Sequence, residues 1–128
     1  MKNNKKGFTL AELLILVAII AVLVAISIPI FSAQLEKSRE ATDIANIRSA
    51  YAEVVTAYLA DGEVSDKNID VTVQQKVPGW TTSDHALTVQ TGDLTQSTYP
   101  IPELSIGSTA NVSLTLDAST AAVIPVVQ

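Results

Sequence analysis

The side chains equipped for chemistry are few and scattered. His85 is the only histidine and the carboxylate beside it is Asp84, so a metal site or a nucleophile triad lacks its parts. The chain has no Cys, which removes thiolate metal sites, a nucleophilic thiol, a lipid-modified N-terminal cysteine and a disulfide framework together. Asp61, Glu63, Asp66 and Asp70 form the densest acidic run, yet their spacing lacks the glycine turn and terminal bidentate glutamate of a hand-type calcium loop. They read as solvated turn residues. Asn111, Val112 and Ser113 spell a glycosylation sequon inside a predicted strand and read as a chance match. No base, nucleophile or metal constellation follows residue 32, so neither catalysis nor a bound metal or cofactor is expected. One group is singled out by its surroundings: Glu12 is the only ionisable side chain in the 24 residues from Phe8 to Phe31. Translocon scales put an Asp-like charge near mid-membrane at roughly 2.5 to 3.5 kcal/mol, so a carboxylate kept there needs a partner.

The element that carries Glu12 follows from its neighbours. Residues 13 to 26 are unbroken Leu, Ile, Val and Ala, extended by Ser27, Ile28, Pro29, Ile30 and Phe31. About 20 mainly apolar residues suffice for a helix to cross a bilayer core, so this stretch can span. Lys2, Lys5 and Lys6 before it and acidic residues beyond it place the N-terminus in the cytoplasm and residues 32 to 128 outside. An ordinary secretory signal peptide, with Ala25 and Ser27 as its small residues, is the competing reading. It gives Glu12 no purpose, and helical character continues past Phe31 without a stop. With 128 residues there is room for one small domain. With 8 basic against 13 acidic residues, no basic surface remains to grip a phosphate backbone, and nucleic acid is not an expected partner.

From Ser32 to Ala60 the pattern is amphipathic. Ile44, Ile47, Tyr51, Val54, Val55 and Tyr58 recur at steps of three and four, while Lys37, Glu40, Asp43, Arg48 and Glu53 fall largely off that stripe. Arg39 stands three residues after Glu36 and four before Asp43, spacings that bring opposite charges together on a helix surface. No Gly or Pro lies between 30 and 61, and Asp61 with Gly62 supplies the stop. A helix from Phe8 to this stop would measure roughly 80 Å, with a kink at Pro29, too long a rod for a small monomer to bury.

After Gly62 the period changes to two. Ile69, Val71 and Val73, then Leu87 and Val89, then Val112, Leu114 and Leu116 alternate with polar residues and predict three half-buried strands. Pro78 and Gly79, Gly92 and Asp93, Pro100 and Pro102, and Gly107 separate them. Ala121 to Val127 is continuously apolar but holds Pro125, which confines it to a sheet edge or an irregular tail. Trp80, after Pro78 and Gly79, is expected to plug a sheet edge. An antiparallel sheet on the stripe of residues 44 to 58 would bury both apolar faces, which makes the fold class α+β: a long N-terminal helix, half transmembrane and half amphipathic, packed on a small antiparallel sheet.

Gly7, Phe8, Thr9, Leu10, Ala11 and Glu12, between a short Lys-rich leader and the apolar stretch, resemble the processing motif of type IV pilins and pseudopilins. The resemblance extends to about residue 60, because leader, motif, apolar stretch, Pro29 and amphipathic continuation occur in order. It implies cleavage by a prepilin peptidase after Gly7, methylation of the new amine on Phe8, and a glutamate at the fifth mature position, here Glu12, that acts in assembly. It divides the chain into a leader at 1–7, a transmembrane and assembly half at 8–31, an amphipathic half at 32–62 and a sheet region at 63–128. Two departures stand out. Ala21 occupies the fourteenth mature position, where the family often has a glycine that eases helix unwinding in filaments, and the lack of Cys resembles the disulfide-free pilins of Gram-positive bacteria.

The function this resemblance implies is that of a structural subunit of a type IV pilus. Its partners would be copies of itself, the peptidase, an assembly ATPase and a platform protein. Before assembly it would sit in the cytoplasmic membrane, and afterwards in an extracellular filament. A pseudopilin of a type II secretion or DNA-uptake machine is the alternative, and a membrane-anchored or secreted binding protein a remote one.

Overall fold

The computed structural model describes residues 6–63, 68–90, 96–116 and 123–128. Lys2, Lys5, Asp66 and the turn at Gly92 and Asp93 lie outside the described residues. The helix α1 runs Leu10–Asp61 without a break, 52 residues with Pro29 inside it. Proline has no N–H to donate, and its ring crowds the turn before it. On either side, the Ser27 and Ser32 hydroxyls donate back to the Leu23 and Ile28 carbonyls at 2.7 and 3.0 Å, which keeps both serines satisfied within an apolar run. The helix ends where Gly62 takes a φ of 74° and donates its N–H to the Tyr58 carbonyl at 2.7 Å. That left-handed turn is open to glycine at little cost, which is why Gly62 stops the helix.

Two compact units divide the chain, Met1–Leu35 and Glu36–Gln128. In the first, every described residue is exposed. In the second, five strands follow α1: β1 Asn68–Thr72, β2 Ala86–Gln90, β3 Gln96–Pro100, β4 Thr109–Leu116 and β5 Val123–Val127. They form two antiparallel sheets, one ordered β1-β4-β5 and one a β2-β3 pair. Val71 lies opposite Ala110, Leu87 opposite Tyr99, and Leu114 opposite Pro125.

The α+β architecture is therefore a long N-terminal helix with its second half packed on small antiparallel sheets. Ile44, Ile47 and Ala50 of α1 meet Val71, Val73, Leu87, Ile101, Leu104, Ala110 and Val112 in one core, with Ile47 and Val112 fully buried. Tyr51 packs against this core but stays half-exposed, so Ile47 rather than Tyr51 is the centre of the stripe. The strand β3, Gln-Ser-Thr-Tyr-Pro, carries no apolar alternation and escapes sequence patterning; its pairing with β2 makes it a strand. In β5, Pro125 sits on a sheet edge, paired to β4 alone.

Candidate functional site

The first described residues, Lys6 to Thr9, precede the helix. Thr9 then caps it. Its N–H donates to Glu12 Oε2 at 2.8 Å, and the Glu12 N–H donates to Thr9 Oγ1 at 3.3 Å. This reciprocal pair is a capping box, which satisfies two of the backbone donors that the first turn of a helix leaves open. Leu13 N–H closes the first turn on the Thr9 carbonyl at 3.2 Å. Glu12 thus has a partner within its own chain, the Thr9 N–H that donates to its carboxylate. The signal was present: Thr followed three residues later by Glu, ahead of an apolar run. Gly7 lies in open space, with no atom within 4 Å of where a Cβ would stand, and Phe8 is 85% exposed.

Behind this cap, Leu10, Leu13 to Val17, Ile19, Ile20, Val22 to Val24, Ile26, Ile28, Ile30 and Phe31 are exposed apolar side chains. A soluble monomer rarely leaves so large an apolar surface uncovered, and such a surface marks contact with lipid or protein. By length and composition this part of α1 is long and apolar enough to cross a membrane.

A second group of carboxylates contradicts its expected place. Glu40 and Asp43 were expected off the packed stripe, yet with Glu36 they are buried, at 1%, 0% and 6% exposure. The reason is the segment after β1, whose backbone N–H groups point at them. Asp43 accepts from Gln74 and Gln75 at 2.8 and 2.9 Å. Glu36 accepts from Lys76 and Val77 at 2.7 and 2.8 Å, and from Arg39 at 3.0 Å. Glu40 accepts from the Thr81 N–H and hydroxyl at 2.9 and 2.6 Å and from the Thr82 N–H at 3.0 Å. Burial by itself would raise the Glu36 and Glu40 carboxyls, but the bonds they accept outweigh it and hold both below the usual carboxylate range. Arg39 pairs with Glu36 as its spacing predicts, while Asp43 is taken by the backbone.

The remaining candidates are structural. His85 is half-buried and stacks on Trp80, ring centroids 5.4 Å apart. Its Nδ1 lies 2.9 Å from the Thr82 carbonyl, an acceptor only, so that nitrogen carries the proton. Trp80 packs against the core and donates Nε1–H to the Pro102 carbonyl at 3.1 Å. Asp84 pairs with Arg48 at 3.4 Å, and Asn111 donates to Asp70 at 2.8 Å. Among the described residues, no cluster of three or more His, Asp or Glu is arranged to hold a metal ion.

Comparison with known proteins gives two findings. Residues 2–28 match the model of the prokaryotic N-terminal methylation motif. A type IV major fimbrial protein FimA of Dichelobacter nodosus is 36% identical over 84 residues, 66% of this chain and 48% of that protein. A second FimA of that organism is 40% identical over 70 residues, 52% of this chain and 41% of the relative. The chain spans about half the length of the curated relatives it matches. No solved structure matches it.

Proposed function

From the match of residues 2–28 to the N-terminal methylation motif and the likeness to type IV fimbrial proteins, we propose that this chain is a type IV pilin, a structural subunit of a type IV pilus. In this reading a prepilin peptidase cuts between Gly7 and Phe8, the new amine on Phe8 is methylated, and subunits polymerise through α1. The observation that carries it is the fully exposed apolar first half of α1, with a carboxylate, Glu12, at its mouth.

The chemistry of assembly follows from charge in a poor solvent. Cleavage would leave a cationic amine at Phe8, four residues from Glu12, and an unpaired charge of either sign in hydrocarbon is costly. The Thr9 N–H gives the Glu12 carboxylate a hydrogen bond but no countercharge. An incoming subunit whose amine meets the Glu12 of its neighbour satisfies both. The apolar side chains from Leu13 to Phe31 would supply most of the contact area but are nearly indifferent to sliding by one turn. The ion pair therefore sets the register, the role for which buried polar pairs are best attested. Pro29 would put a kink in the stacked helices. The peptidase, an assembly ATPase and a platform protein are the partners this route requires, acting on a subunit held in the cytoplasmic membrane with its N-terminus inside. The products would be extracellular filaments.

Expression of Glu12→Ala as the sole subunit tests this. The variant should insert and be cleaved, yielding methylated Phe8 on N-terminal sequencing, and should accumulate as membrane-bound monomer. Normal filament numbers by electron microscopy would refute the register role. A mature N-terminus between Ser27 and Gln34 would refute the reading as a whole.

A further inference from the structure

Residues 73–85 join β1 to β2. The ends of this segment are tied to the sheet region, where Val73 N–H donates to the Ser108 carbonyl at 3.1 Å and Ile101 N–H to the His85 carbonyl at 2.9 Å. Between those ties, six backbone N–H groups, those of Gln74, Gln75, Lys76, Val77, Thr81 and Thr82, go to three carboxylates on one face of α1. The closed segment also buries both amide atoms of Gln75, a residue only 2% exposed, with no hydrogen-bond partner. Orphaned buried groups favour an open, hydrated segment, while charge-assisted bonds favour a closed one. The charge on the carboxylates decides between them.

We propose that residues 74–82 form a strap that opens and closes on α1 as one unit, held shut by the hydrogen bonds that Glu36, Glu40 and Asp43 accept, and that acid, by protonating Glu36 and Glu40, opens it before the sheets unfold. A protonated carboxyl brings its own O–H, and where both oxygens already receive donors that O–H faces an N–H. Glu40 and Asp43 each receive strap donors on both oxygens, and Glu36 receives two strap amides on Oε1 and Arg39 on Oε2. The other charged or titratable groups nearby are Lys76 in the strap, His85 and the Arg48–Asp84 pair at its end, and Glu103, whose Oε1 is 3.7 Å from the Cβ position of Gly79. Glu36 and Glu40 lie below the usual carboxylate range, which keeps the strap shut at neutral pH and places its release in acid. This holds whether or not the chain builds a pilus.

Deuterium exchange on the full-length chain in detergent micelles, followed as pH is lowered, tests the strap. The amides of residues 74–77, 81 and 82 should lose protection together, at a higher pH than those of the β1–β4 pair. Simultaneous loss in strap and sheet, or a strap protected throughout, would overturn the proposal. At neutral pH, Glu40→Gln should speed exchange roughly tenfold to a hundredfold at Thr81 and Thr82, and equally at Gln74 to Val77 if the strap is one unit. Acceleration confined to Thr81 and Thr82 would refute single-unit opening. If Glu40→Gln prevents folding, the acid titration of the unaltered chain still decides.

Discussion

The two halves of α1 obey opposite rules. Up to Leu35 the helix buries nothing of its own, exposes apolar side chains on all sides, and carries one carboxylate at its start. From Glu36 on, the same helix buries Ile44, Ile47, Ala50 and Val54 together with three carboxylates. Helical periodicity is common to both. What differs is what covers each half: every described residue up to Leu35 is exposed, while the sheets and the segment after β1 cover the second half. An apolar helix all round is a statement about other molecules, whereas buried charge on an amphipathic helix is a statement about the donors its own chain supplies.

The comparison can be broken first at Gly7. Gly7 stands in open space, so Gly7→Val should leave the fold intact while abolishing cleavage and filaments altogether, read by the precursor's unchanged mass and an unchanged melting curve. A lowered melting temperature would mean that Gly7 has a structural duty. Next in size is a charge in each half. Ile47→Asp places an unpaired charge at a fully buried site and should cost several kcal/mol, enough to unfold the second unit. Leu23→Asp, at a 59% exposed site, should leave thermal unfolding of that unit unchanged and impair only membrane retention and filament yield. Equal loss of stability in both variants would erase the distinction between the halves.

Smaller effects sharpen it. Asp43→Ala orphans two amides, those of Gln74 and Gln75, and should cost about 1–3 kcal/mol for each that stays buried, measured by urea unfolding. The folded-state values of Glu36 and Glu40 lie below their unfolded ones, so both contribute stability that is present above the ordinary carboxylate value and lost as pH falls through the lower folded one. Unfolding free energy should therefore be flat from neutrality to about pH 5 as far as these groups are concerned and decline below it; a decline confined to the neutral range would assign the dependence elsewhere. Arg48→Ala should matter least, at most about 1 kcal/mol, because Arg48 and Asp84 are solvent-exposed partners 3.4 Å apart.

Much of this was legible in the residues. The run from Leu13 to Ile26, the stripe through Ile47, the alternation at Val112 and Leu114 and the edge position forced by Pro125 are one-dimensional patterns, because period and conformational restriction belong to the chain itself. The capping box at Thr9 and Glu12 is equally local, a Thr followed three residues later by Glu. What only the tertiary structure decided is the fate of groups with no periodic signature. Glu36, Glu40 and Asp43 look like solvated helix charges until a segment some 31 to 42 residues away lays its N–H groups across them. Backbone donors are the same in every non-proline residue, so side-chain sequence does not announce where they will point. The strand β3 has the same origin, since a polar stretch becomes a strand when a neighbour such as β2 offers it a ladder.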